Sequence, residues 1–146
     1  MIIRRATVAD IPALCTMMEA LRQETAWGAL AYTPDYGNAI AVFTKRLSDP
    51  NVYVVVVENG SVAGFCGSEM QHHPFIPKLS YVSEWAWWLA PELRQTAVAK
   101  QVWDAIRKWG QSKGAQGALY GRPKRPKPGA RKQVFEEIIW ESWSNA

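Results

Sequence analysis

Hydrophobic positions along this chain change period several times, and each change marks an element. Residues 2–6 read as a short strand, after which Thr7 or Asp10 can cap a helix and Pro12 suits its first turn. Ile11, Leu14, Met18 and Leu21 then recur at helical spacing, and Met17 and Met18 are read as core packing. The pattern fades over 24–37, an aromatic and turn-rich connection. It returns as a second helix over 38–47, ended by Ser48, Asp49, Pro50 and Asn51. Residues 52–58 are a β-branched run too continuous for a half-exposed strand, which predicts a central one, and Asn59-Gly60 predicts a type I′ hairpin. Residues 61–70 return as its antiparallel partner, with Val62, Gly64, Cys66 and Ser68 on one face and Ala63, Phe65 and Gly67 on the other.

A loop over 71–78 carries both histidines, His72 and His73. With no third ligand at a recognisable spacing they make no zinc site. They read as a hydrogen-bonded loop feature, with proton acceptance at a cleft mouth the lesser alternative. A fourth strand is predicted over 79–89 and a third helix over 95–113, whose buried stripe is Val98, Val102, Ala105, Ile106 and Trp109. Gly114-Ala115 ends that helix and a fifth strand follows over 116–121. This order implies an α/β layered fold with a mixed sheet and a parallel crossover through the third helix. Beyond it, Arg122, Lys124, Arg125, Lys127, Arg131 and Lys132 form a basic segment without acids, in which Pro123, Pro126 and Pro128 argue against regular structure. Residues 134–143 fit a helix through Phe135, Ile138, Ile139 and Ser142, or a strand through Phe135, Glu137, Ile139, Glu141 and Trp143. Periodicity does not choose between them.

Composition narrows the class. At 146 residues, 48% hydrophobic and 21% charged, the chain is expected to form one domain spanning 1–146, with no apolar run long enough to span a bilayer. The N-terminus lacks the apolar core of a signal peptide, so a cytoplasmic location is expected. Cys15 and Cys66 have neither metal-ligand nor redox spacing and read as small buried hydrophobes, a catalytic thiol being the minor alternative. The formal charge of +4 favours acidic partners, and the 8 tryptophans are read as core or interface anchors.

The chemistry-bearing stretch is 84–109. Its apolar strand, stopped by Pro91, feeds the third helix through a tight turn, where the first backbone N–H groups lack intrahelical partners and the macrodipole is positive. Ala97 and Ala99 leave room for an anion and Arg94 adds a full charge, which makes a seat for a diphosphate. Leu89-Ala90-Pro91-Glu92-Leu93-Arg94-Gln95-Thr96-Ala97-Val98-Ala99 resembles the acetyl-CoA signature of the GNAT N-acetyltransferases, Arg/Gln-x-x-Gly-x-Gly/Ala after a strand end. Arg94 and Ala99 match it, while Ala97 stands where the family normally has glycine, so the loop is a degenerate form.

The resemblance implies a mixed, mostly antiparallel sheet flanked by helices. The chain is too short for the family's closing helix and two strands at normal length, so its C-terminal part is abbreviated or altered. It implies acetyl-CoA as co-substrate, held by Trp88, Leu89, Arg94, Gln95, Thr96, Ala97, Val98 and Ala99, with a backbone N–H near Trp88 or Leu89 polarising the thioester. Glu84 falls where many relatives keep the carboxylate that deprotonates the amine. Burial between Trp85 and Trp87 would raise its pKa, and the alternative is a strand-end carboxylate paired with lysine or arginine. Relatives often use a tyrosine from the closing helix as general acid. With no tyrosine after residue 130, Tyr120 is the nearest substitute and Tyr81 another. Trp27, Tyr32 and Tyr36 are candidate contacts to a small-molecule or protein amine acceptor, or else rings that cover the core.

Two functions follow. One is an N-acetyltransferase acting by direct attack of a primary amine, and the other a non-catalytic binding or assembly module of the same fold. In the second, the basic 122–132 segment contacts an acidic partner or nucleic acid, though without interleaved aromatics it favours a solvated loop. Trp140 and Trp143 with the short C-terminal part point to a homodimer.

Overall fold

The computed structural model of the chain describes residues 1–25, 33–124 and 135–143, the side chains of 122–124 and 135–137 apart. Six strands form one sheet in the order β1 (Ile2–Arg5), β2 (Val52–Asn59), β3 (Ser61–His72), β4 (Ser80–Leu89), β5 (Gly117–Lys124) and β6 (Phe135–Ser142). Every neighbouring pair is antiparallel except β4 and β5, which are parallel. Helices α1 (Ile11–Glu24) and α2 (Tyr36–Ser48) link β1 to β2, and α3 (Ala97–Ser112) links β4 to β5.

The valine run of β2 is buried on both faces. Val54 and Val56 join Leu14, Met17, Phe43 and Phe65 beneath α1 and α2, while Val55 and Val57 join Val102, Ile106 and Leu89 beneath α3. A strand sandwiched in this way carries no polar alternation. Two ends are fixed by side chains: Asp10 accepts the N–H of Thr7 at 2.7 Å before α1, and Asp35 accepts that of Asn38 at 2.9 Å at the start of α2. Gly114, at φ 87°, supplies the left-handed residue after α3.

The structure corrects three expectations and decides one reading that the sequence leaves open. Between β2 and β3 only Gly60 has positive φ (76°), whereas a type I′ turn needs two such residues. The register also slips between Val57 and Glu58. That bulge reverses the phase of the strand's first residues, so Val62 packs under α1 and α2 and Ala63 under α3. β5 runs through Pro123, and Gly121, two residues earlier on the same edge, points its N–H toward β4. Past Leu119 the two strands are no longer paired, so the N–H that Pro123 lacks costs the ladder nothing. Residues 135–142 are a strand, antiparallel to β5. Residues 125–134, which join β5 to β6 and include 125–132 of the basic segment, fall outside the described residues.

Candidate active site

β4 carries the features that open a cleft. Its register with β3 shifts between Gly67, opposite Ala86, and Ser68, opposite Glu84, which leaves Trp85 as the extra residue of a bulge. Its pairing with β5 is confined to Val82 with Ala118 and Ser83 with Leu119. From Glu84 onward the two strands part. A cleft of about 1240 Å³ enters this opening and continues between β4 and the helices α1 and α2.

Glu84 and Tyr120 face this opening from the two strands. Glu84 Oε2 accepts the backbone N–H of Gly121 at 3.2 Å, which fixes the carboxylate at the fork. Tyr120 packs its ring against Trp103 of α3 at 4.8 Å between centroids, and Trp103 in turn stacks on Trp87 at 5.6 Å. Cys66 lies under the same wall. Its burial, and next the charge of Glu84, push the thiol well above its ordinary value, so it stays protonated and is no nucleophile. Tyr81 is edge-on to Trp140 at 5.8 Å and does not line the cleft.

Further along β4, the N–H of Ala90 donates to Ala63 of β3 at 2.8 Å. Alternation along the strand therefore turns the N–H groups of Leu89 and Trp87 toward the edge that β5 has left, and that of Trp88 toward β3. The carbonyl of Leu89 on that edge accepts Arg94 Nε at 2.8 Å. Arg94 also holds both oxygens of Glu24 at 2.8 and 2.9 Å, and Trp88 Nε1 donates to Glu24 at 3.3 Å. Glu24 thus ties the end of α1 to the turn before α3, over a sequence distance at which no local pattern announces it.

That turn is a single 3-10 turn at Pro91–Leu93, after which Gln95 takes φ 60° and Thr96 caps α3. The Thr96 hydroxyl accepts the N–H of Val98 at 3.3 Å, so this amide has a partner within the chain. Ala97 and Ala99 occupy the first turn, where backbone N–H groups lack intrahelical acceptors. Arg94, Gln95, Ala99, Trp88 and Leu89 line the cleft, whereas Thr96 and Ala97, both exposed, and Val98, buried, do not. Tyr36 lines its far arm at the start of α2, half exposed. Trp27 and Tyr32 lie outside the described residues.

The loop histidines are not part of this cleft. β3 extends through His72, and His73 Nδ1 accepts the N–H of Phe75 at 3.1 Å. Among the described residues no group of three His, Cys, Asp or Glu could hold a metal ion, and no helix is long and apolar enough to cross a membrane. The donor set suits an anionic ligand that also bears a carbonyl: Leu89 N–H at the open edge, helix amides beside small Ala97 and Ala99, and a guanidinium.

Comparison with known proteins agrees with this geometry. The profile of the acetyltransferase (GNAT) family matches residues 14–125. No curated protein matches. An acetyltransferase from Vibrio fischeri superposes with a TM-score of 0.63 at 20% identity, covering 82% of this chain and 93% of that one. A predicted acetyltransferase with acetyl-CoA from Clostridium acetobutylicum gives 0.66 at 14% identity, covering 80% and 77%. AAC(6')-Iy, in complex with a bisubstrate analog, gives 0.64 at 19% identity, covering 88% and 80%. Family match and architecture together establish that the chain belongs to the acetyltransferase (GNAT) family.

Proposed function

We propose that this N-acetyltransferase acts at the fork of β4 and β5, where Glu84 receives a proton from a primary amine bound in the cleft. The single observation that carries this reading is the position of Glu84, tethered to Gly121 and facing Tyr120 at the mouth of the opening. When bound, acetyl-CoA supplies a thioester carbonyl that an amine attacks directly, the C–S bond breaking as the C–N bond forms. Leu89 N–H, aimed at the open edge, suits the role of donor to that carbonyl oxygen. Glu84 takes the amine's proton, directly or through water, and we assign to the Tyr120 hydroxyl the return of one to the departing sulfur. The amides at the start of α3, with Arg94, would hold the diphosphate. The occupied Val98 amide and the Arg94–Glu24 pair mean that this seat is partly filled by the chain itself.

The test is isothermal titration of acetyl-CoA followed by thiol release with a panel of amines. Binding together with turnover that collapses in Glu84→Gln supports the reading. No binding to the unmodified protein removes it. The same reading carries a cytoplasmic location and a homodimer. The dimer is supported by Trp140, exposed with Ile138 on β6 at the edge of the sheet, whereas Trp143 is buried in the core beneath α3 and is no interface anchor. Sedimentation at micromolar concentration tests it.

A further inference from the structure

Three arginines line the cleft, and two of them are neutralised from within the protein. Arg22 holds Glu19 at 2.7 and 2.8 Å, drawing that carboxylate's pKa down to about 2, and Arg94 holds Glu24. Arg46, in the last turn of α2, forms no ion pair among the described residues. Its guanidinium lies over the Trp85 indole, 4.2 Å from the ring centre. The indole itself rests on Gly67, where an added Cβ would approach it to 2.2 Å. Trp85 is therefore covered on both sides, and what it presents to the cleft is the cation upon it. Stacking uses the face of a guanidinium and leaves its N–H edge for a planar acceptor.

The helix does not require this arrangement. A cation in the last turn suits the dipole of α2, and Lys45 beside it, exposed, already serves that purpose. The lining of the cleft includes the apolar Met18, Leu21, Val42, Phe43 and Ile138. Of the other carboxylates on its walls, Glu19 and Glu24 are held by arginines and Asp35 caps α2. A polycationic acceptor would need several carboxylates to meet it, and these three are already engaged.

We propose that Arg46 binds a carboxylate of the acceptor, which is therefore an amino acid-like molecule: a primary amine and a carboxylate on an apolar body. This rests on the reading of Glu84 as the base. Glu84 and Arg46 both line this cleft, so the proton acceptor and the anion site open into one space, and an acceptor held by both its amine and its carboxylate is oriented in it.

The experiment is thiol release with phenylalanine and leucine against phenethylamine and isoamylamine, which differ from them only by the carboxylate, and with spermidine as a polycation. The amino acids are expected to exceed their decarboxylated counterparts at least about tenfold in kcat/KM. Arg46→Gln should collapse that ratio through KM, and Arg46→Lys should restore part of it, with folding checked by circular dichroism and acetyl-CoA affinity unchanged by titration. A ratio near one, preference for spermidine, or a ratio that survives Arg46→Gln overturns the proposal. So does weakened acetyl-CoA binding in Arg46→Gln, which would assign the guanidinium to the co-substrate. A protein that binds acetyl-CoA but favours the polycation fails here alone, whereas one that binds no acetyl-CoA fails at the earlier reading.

Discussion

Gly121 on β5 donates its backbone N–H to the Glu84 carboxylate on β4, just past Ser83 and Leu119, the last residues at which those strands are paired. A side chain thus takes the hydrogen bond that a continued ladder would have given to backbone. The carboxylate holds the strands apart while satisfying the amide that their parting exposes.

Glu84→Gln tests the proposed base. Its amide oxygen can still accept the Gly121 N–H, so the fork keeps that hydrogen bond. Proton acceptance is lost, and the thiol-release rate should fall roughly 100-fold or more. A rate within about twofold of the unmodified protein would discard the assignment.

The Trp85 bulge depends on the absence of a side chain at Gly67. A methyl there would lie 2.2 to 2.5 Å from indole atoms, and the ring has little room to move between β3 and Arg46. Gly67→Ala should cost about 1–3 kcal/mol by urea denaturation and lower turnover with it. Gly37→Ala is the control. At that position in α2 the nearest atom to an added Cβ is Asp35 Oδ1 at 3.5 Å, an ordinary contact, and stability should hold or rise slightly.

Local signals in the sequence carried most of the architecture and little of the site's wiring. The β-branched run of β2, the helical stripe of α3 and the strand-turn-helix at Leu89 to Ala97 are each written within a few neighbouring residues, where period and punctuation are informative. Residues 135–142 were undecidable because both periods fit, and only pairing with β5 selects the strand. Pro123 misled because proline is excluded by a missing partner, and whether a partner is needed depends on the divergence of β4 and β5. Glu24 and Arg46 carry no local signal for a similar reason. Their partners Arg94 and Trp85 are brought to them only by the folded sheet.

The Glu24–Arg94 pair predicts opposite effects from its two members. Both side chains are about 40% exposed, so the pair contributes about 0–1 kcal/mol and a competing diphosphate can displace Glu24. Glu24→Gln should therefore tighten acetyl-CoA binding by roughly twofold to fivefold. Arg94→Gln should weaken it by about tenfold, since one charge-assisted contact to phosphate is removed. Isothermal titration reads both. Unchanged affinity in Arg94→Gln would move the diphosphate away from this turn.

Asp10 sets a limit on stability in acid. It is 6% exposed, accepts two hydrogen bonds from Arg4 at 2.8 and 2.9 Å and two from Thr7, and so fastens β1 to the entrance of α1. Those bonds, that from Arg4 foremost, hold its pKa below the ordinary 3.8. At neutral pH the group is ionised in both folded and unfolded chains and its stabilisation is complete. As pH falls through about 3.9 the unfolded chain takes up the proton first, and the contribution shrinks until the folded carboxylate is protonated as well. Asp10→Asn should accordingly cost about 1–3 kcal/mol at pH 7, and the gap between the two proteins should narrow below pH 4. Urea denaturation of both at pH 7 and pH 3 measures this directly. A gap that stays constant across that range would mean that Asp10 acts through packing and not through its charge.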